Sequence, residues 1–173
     1  LPSEWKPVDL LVANAGSDVG GRRPFVDGDA NDWMSTINTN VNGVIQMCHA
    51  FLPSMQQRGC GHVVTIGSTA GLRAYVGGAA YVASKHAVKA LTETLRLELK
   101  NTAVRITEVA PGTVQTGFAE ARHRGDRARA DAFYAELPAA LTPDDVANAV
   151  LFAIDQPPHV NIGQILITPT LDK

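Results

Sequence analysis

The stretch Val8-Asp9-Leu10-Leu11-Val12-Ala13-Asn14-Ala15-Gly16 decides how the rest of the chain is read. Its first six residues are too few for a helix, are nearly all apolar, and are stopped by Asn14-Ala15-Gly16. Such a run suits a strand of a parallel sheet covered on both faces. Similar runs recur at His62-Val63-Val64-Thr65-Ile66-Gly67, at Val104-Arg105-Ile106-Thr107-Glu108-Val109, which Pro111-Gly112 ends, and at residues 163–168.

Helical patterns fill the intervals. Over residues 31–57, Ile37, Val41, Val44, Cys48, Leu52 and Met55 recur at helical spacing, with Asp29 or Asn31 as the cap and Pro53 expected to bend or break the last turn. Residues 79–100 form a long helix with Ala80, Ala87, Leu91, Leu95 and Leu99 on one face. Residues 116–137 are polar and helix-prone, and Thr142-Pro143-Asp144-Asp145 starts a further helix: threonine caps, proline takes the first helical position, and the acids meet the positive end of the dipole. The order β-α-β-α-β-α-α-β implies a doubly wound parallel α/β sheet in one domain.

Bulk properties narrow the function. With 173 residues, 45% hydrophobic and 18% charged, the chain can bury a globular core. A net charge of -2 argues against nucleic acid as a partner. The basic run Arg122, His123, Arg124, Arg127 and Arg129 is interleaved with Glu120, Asp126 and Asp131 and reads as a solvated helix face. No apolar run approaches the roughly 20 residues of a membrane span. Only two cysteines, Cys48 and Cys60, and no signal peptide point to the cytoplasm.

The chemistry concentrates at Tyr81-Val82-Ala83-Ser84-Lys85. Residues four apart share a helical face, so an ammonium can lie near the phenol, favour phenolate and draw the phenol's acidity towards neutrality. Alone, such a pair is usually one packed ring beside one solvated amine. Ser68, just past the strand ending at Gly67, lies where open α/β sheets bind ligands, although a turn serine or cap would read the same way. Asn38, Asn40 and Asn42 crowd into mid-helix, where asparagine competes for backbone hydrogen bonds, and so ask for a local reason.

In order and spacing, the set Ala13-Asn14-Ala15-Gly16, Asn40, Ile66-Gly67-Ser68-Thr69-Ala70-Gly71, Tyr81-Val82-Ala83-Ser84-Lys85 and Pro111-Gly112-Thr113-Val114-Gln115-Thr116 resembles the short-chain dehydrogenase/reductase family. The match includes the 13 residues from Ser68 to Tyr81. The resemblance implies a Rossmann fold and an NAD(P)-dependent oxidoreductase acting on a small alcohol or carbonyl. Tyr81 would be the acid/base and Lys85 the group that lowers its pKa and binds the nicotinamide ribose. Ser68 would bond the substrate oxygen, with Tyr81 completing the substrate contact, and Asn40 would hold a water in the proton relay to Lys85. Asn14, Ala15 and Gly16 would line the adenosine side of the cofactor, and Pro111, Gly112, Thr113, Val114 and Thr116 the nicotinamide side. No metal is called for.

Softer similarities lie in the opening Leu1-Pro2-Ser3-Glu4-Trp5, in Leu141-Thr142-Pro143-Asp144-Asp145-Val146-Ala147, in His159-Val160-Asn161-Ile162 and in Ile167-Thr168-Pro169-Thr170. They resemble the NADP-dependent serine and 3-hydroxy acid dehydrogenase branch, so NADP is expected ahead of NAD. The family also implies a homo-oligomer, a tetramer, paired through the helices at 31–57 and 79–100, the second carrying Val82, Val88 and Leu97 off its main face.

Two departures stand out. Ala13 replaces the family's first asparagine in that motif. The glycine-rich phosphate loop is absent, and Gly16-Ser17-Asp18-Val19-Gly20-Gly21 imitates one, but Arg22-Arg23-Pro24 follows where a helix amino end should stand. That segment reads as a flexible loop on the substrate side, and the groups that select the substrate are expected there and in residues 116–137. About 60–80 residues carrying the missing βα units are therefore expected ahead of Leu1 in the natural protein, and the alternative function is a non-catalytic Rossmann remnant serving assembly or regulation. Cys60 and His62 straddle Gly61 without a second ligand pair and read as loop and strand-start residues. Cys48 reads as core, and Trp5 and Trp33 as packing residues.

Overall fold

The computed structural model describes Pro2 and residues 6–171; Leu1, Ser3, Glu4 and Trp5, and with them most of the opening motif, lie outside the described residues. Four strands, β1 (Leu10–Ala13), β2 (Gly61–Ile66), β3 (Val104–Pro111) and β4 (Gln164–Ile167), form one sheet in the order β1-β2-β3-β4. All neighbours pair in parallel, with Leu11 opposite Val63, Val63 opposite Ile106 and Val109 opposite Ile165. Among the described strands the order runs without reversal, so the fold is a Rossmann-like α/β sheet.

Burial follows position in the sheet. Central β2 and β3 are covered on both faces, with Val63, Val64, Ile106 and Val109 no more than 1% exposed. On β1 one face is covered: Leu11 and Ala13 are buried, while Leu10 and Val12 are 40% and 39% exposed. The strand lies at the end of the sheet, and α2 covers one side of it.

The helices are α1 (Ala30–Ile37), α2 (Gly43–Arg58), α3 (Ala79–Glu98), α4 (Phe118–Arg122), α5 (Arg127–Ala135) and α6 (Pro143–Ile154). Asp29 caps α1, accepting from Asn31 N at 2.8 Å. Thr142 and Asp145 form a reciprocal capping box on α6. Pro53 neither breaks nor ends α2: Leu52 and Met55, buried on either side of it, fix both halves of the helix to the core.

The asparagine cluster has its local reason. Asn38–Asn42 form a π-helical turn between α1 and α2, with Asn42 Nδ2 donating to Asn38 Oδ1 at 2.6 Å. Wide turns of this kind gather at functional sites. The apolar face expected for α3 packs only partly; its deepest residues are Ser84, Lys85, Val88 and Thr92. Val88, expected on an outward face, is core at 1% exposure, whereas Leu97 is 67% exposed. Cys48 is core, and Trp33 stacks on Phe25 with ring centroids 4.5 Å apart.

Candidate active site

The carboxyl ends of β1, β2 and β3 open into a cleft of about 680 Å³, within the range of small-molecule sites. Asn14 and Gly16 wall it after β1, Ile66 to Ala70 after β2, and Pro111 to Val114 with Thr116 after β3; α3 adds Tyr81 and Lys85. Ala15 is exposed and is not among the lining residues.

Ser68 combines the two readings open to it. Its Oγ caps a short turn, accepting from Ala70 N at 3.1 Å, and also hydrogen-bonds the Tyr81 hydroxyl. Burial pushes the Tyr81 phenol up to about 12, with the Ser68 bond acting against it. The expected drop towards neutrality is absent because burial outweighs the groups that favour the phenolate. Lys85 Nζ lies 5.7 Å from the Tyr81 ring centroid and donates to the Ile66 carbonyl at 2.9 Å. Burial draws Lys85 itself down to about 8, opposed by the charge of Glu108. Glu108 packs under Gly67, where a Cβ would collide with its carboxylate, and accepts from Gln164 Nε2 at 2.7 Å.

Asn40 sits at 1% exposure in the π turn. Its Oδ1 accepts from Ser17 N at 2.8 Å, and its Nδ2 donates to Ser17 O and to Ser84 Oγ, each at 2.9 Å. Both amide hydrogens are committed, which leaves one lone pair on Oδ1 to receive a water.

The segment after Gly16, expected to be flexible, is instead tied down along its length. Val19 N donates to Thr36 Oγ1 at 3.2 Å, Gly20 N to Arg122 O at 3.2 Å and Arg23 N to Gly77 O at 3.2 Å. Gly20 and Gly21 supply the left-handed turn this path needs, at φ 82° and 70°. Arg122 departs furthest from expectation. It is 7% exposed rather than on a solvated face, and its Nε lies 2.9 Å from Asp18 Oδ2. Burial nevertheless raises the Asp18 pKa, against the pull of Arg122 and Arg22.

The far wall completes the cleft with Arg22 from the segment after Gly16 and with Phe118, Arg122, Phe133 and Tyr134 from residues 116–137, the two segments expected to select the substrate; Tyr75 lies outside both and was not singled out. Tyr134 braces the segment after β3, its hydroxyl donating to Val114 O and accepting from Thr116 N at 3.1 and 3.2 Å. Thr116 Oγ1 is used locally, accepting from Phe118 N at 3.1 Å. Of the metal decoy, Cys60 is exposed and His62 is buried on β2, with its Nε2 2.8 Å from Thr107 Oγ1.

The cleft suits a nicotinamide nucleotide. Lys85 uses one of its three donors on Ile66 O, and the lack of a side chain at Gly16 keeps the adjoining space open. A Cβ there would stand 3.8 Å from Nζ and 3.5 Å from Asn40 Oδ1. Ribose hydroxyls would be held by Tyr81 and Lys85, and a carboxamide by the backbone of Pro111 to Val114.

The serine, phenol and buried amine gathered at the carboxyl ends of parallel strands stand where Rossmann-type α/β sheets bind their ligands. Residues 1–127 match the short chain dehydrogenase family model, and the chain belongs to that family. It is 42% identical over 170 residues to the NADP-dependent 3-hydroxy acid dehydrogenase YdfG of Escherichia coli O6:H1, covering 98% of this chain and 68% of that protein. It is 39% identical over 171 residues to sulfoacetaldehyde reductase 2 of Chromohalobacter salexigens, covering 98% of this chain and 67% of that protein. The closed form of a serine dehydrogenase complexed with NADP+ superposes with a TM-score of 0.95 at 41% identity, covering 100% of this chain and 69% of that one. Among the described residues, no helix is long and apolar enough to cross a membrane.

Proposed function

We propose that the protein is an NADP-dependent oxidoreductase moving a hydride between the nicotinamide and the carbinol carbon of a small secondary alcohol, a 3-hydroxy acid or serine-like compound. The observation that carries this is the meeting of Tyr81, Ser68 and Lys85 in one cleft at the strand ends. NADP rather than NAD is supported by the cofactor in the relatives' names.

Reduced NADP supplies the hydride when bound. Ser68 Oγ donates a hydrogen bond to the substrate carbonyl oxygen and orients it. The Tyr81 hydroxyl then gives its proton to the same oxygen as the alcohol forms. A phenol held near 12 is acidic enough, because the alkoxide it protonates is more basic still. Lys85 binds the ribose and returns the proton to Tyr81, and a water on the free lone pair of Asn40 resupplies Lys85. Asn14, Gly16 and the Pro111–Thr116 segment position the nucleotide. The working form is a cytoplasmic homotetramer, which light scattering tests through its mass.

The deciding experiment is Tyr81→Phe. Turnover, followed by nicotinamide absorbance, falls about 10²–10⁴-fold while NADPH affinity, followed by fluorescence, holds. A variant within tenfold of wild type removes Tyr81 as the acid.

A further inference from the structure

The far wall of the cleft carries a charge that the chemistry of hydride transfer does not use. Asp18, Arg22 and Arg122 meet there, two guanidinium groups to one carboxylate. Arg122 is the structural member: its side chain is 8% exposed, its Nε lies 2.9 Å from Asp18 Oδ2, and its guanidinium rests near Phe118 and Phe133, 5.2 and 5.3 Å from their centroids. Arg22 is placed differently. It is exposed, it lines the same cleft as Ser68 and Tyr81, and it makes no ion pair within 4.0 Å among the described residues.

Arg22 is nonetheless held in position. Its guanidinium lies over the Tyr75 ring, 4.5 Å from the centroid, with Phe133 at 5.9 Å. Its backbone is clamped to the next loop, where Gly77 takes φ 80° and a Cβ would stand 3.0 Å from Arg23 N. Stacking on an aromatic face, with a hydrogen bond to the Tyr75 hydroxyl, orders the planar guanidinium, whose five donors leave others for a planar anion. Two guanidinium groups against one carboxylate leave the cluster net positive.

We propose that Arg22 is the specificity-determining residue of this site, receiving the carboxylate or sulfonate of an anionic hydroxy or oxo substrate whose reacting oxygen lies at Ser68 and Tyr81. This deepens the oxidoreductase reading above and rests on it. An acid group near the carbinol carbon meets Arg22 as the oxygen meets Tyr81, and a neutral alcohol of the same shape leaves Arg22 unpaired. Arg122 cannot take this role, because its charge is already answered by Asp18.

The test compares 3-hydroxybutyrate with its uncharged isostere 3-hydroxybutyramide, using the purified enzyme, Arg22→Met and Arg22→Lys. Arg22→Met raises KM for the acid about 30-fold and changes that for the amide less than about threefold, with kcat little altered; Arg22→Lys recovers part of the loss. Equal losses on both compounds, or no loss on either, overturn the assignment while leaving the oxidoreductase reading intact. A second arm needs no turnover: 3-hydroxybutyrate raises the melting temperature of wild type and not of Arg22→Met. If that difference appears while wild type turns over neither compound with NADP or NAD, the oxidoreductase reading fails and the anion site stands. 2-Hydroxypropane-1-sulfonate, the sulfonate analogue of 3-hydroxybutyrate, in the same two arms separates a general oxyanion site from a carboxylate-selective one, and either result supports Arg22 as the receptor.

Discussion

Asn40 grips Ser17 by both of its backbone groups, accepting from its N–H at 2.8 Å and donating to its carbonyl at 2.9 Å. A third bond, to Ser84 Oγ at 2.9 Å, ties the same amide to the helix that carries Tyr81 and Lys85. One side chain thus fixes the loop after β1 relative to α3, and the wide turn around Asn40 is what delivers it there.

Asn40→Ala removes these bonds and strands buried polar groups, so a loss of about 2–4 kcal/mol is expected in urea unfolding. Turnover falls with it, because the loop carrying Arg22 loses its anchor. Stability within about 0.5 kcal/mol of wild type would show that water replaces the amide at no cost.

The Asp18–Arg122 pair, with both side chains under 10% exposed, predicts a non-additive cycle. Asp18→Asn or Arg122→Met alone leaves one buried charge unanswered and destabilises by about 3–5 kcal/mol. The double variant recovers most of that loss. Additive losses in chemical denaturation would mean that the two residues act separately.

The centre of the site was legible in the sequence because its spacing is local. Tyr81 and Lys85 share a helical face, Ser68 follows a strand, and three asparagines in one helix asked for a local reason that the structure supplies as a π turn. The substrate wall was legible by segment, after Gly16 and over residues 116–137, but not by residue. Arg122 sits in a run of alternating charges that looks solvated, and only its contact with Asp18, far away in sequence, buries it. Arg22 was read as the reason to reject a false phosphate loop, not as a ligand in its own right. The depth of α3 was misjudged for a related cause. Ser84 and Thr92 are buried because the π turn and β2 satisfy their hydroxyls, Thr92 Oγ1 lying 2.9 Å from Thr65 Oγ1. The acidity of Tyr81 likewise depends on burial, which spacing cannot reveal.

That acidity sets the pH behaviour. With the phenol near 12, Tyr81 keeps its proton throughout the neutral range, which is the form that carbonyl reduction needs. Alcohol oxidation needs the phenolate, a minor species at neutral pH. Oxidation should therefore accelerate about tenfold for each tenfold fall in proton concentration, until bound nucleotide or substrate changes the limiting step. Reduction should stay nearly level over the same interval. Initial rates in both directions from pH 6 to 10 check this, and a level oxidation profile would contradict it.

His62 gives the last prediction, one about stability. It is 3% exposed on β2, with its Nε2 2.8 Å from Thr107 Oγ1. Thr107 spends its own hydrogen on Ile162 O at 2.7 Å, so Nε2 must be the donor to Thr107. Nδ1 is then the bare nitrogen, buried without a partner among the described residues. Protonating it would bury an unpaired N–H and a charge, and burial with the repulsion of Arg105 lowers the pKa from 6.5 to about 4. The unfolded chain takes up this proton first as pH falls, so the native state loses stability between about pH 6.5 and 4, by up to about 3 kcal/mol. Asp18 and Glu108, whose pKa values burial raises, act in the opposite sense: they hold protons in the fold that the unfolded chain has released, and so favour the native state as pH falls. His62→Gln isolates the histidine, since its side-chain amide can still donate to Thr107 but does not titrate. Urea midpoints for this variant should decline less steeply than wild type over that interval. Parallel curves would mean that His62 is no part of the acid sensitivity.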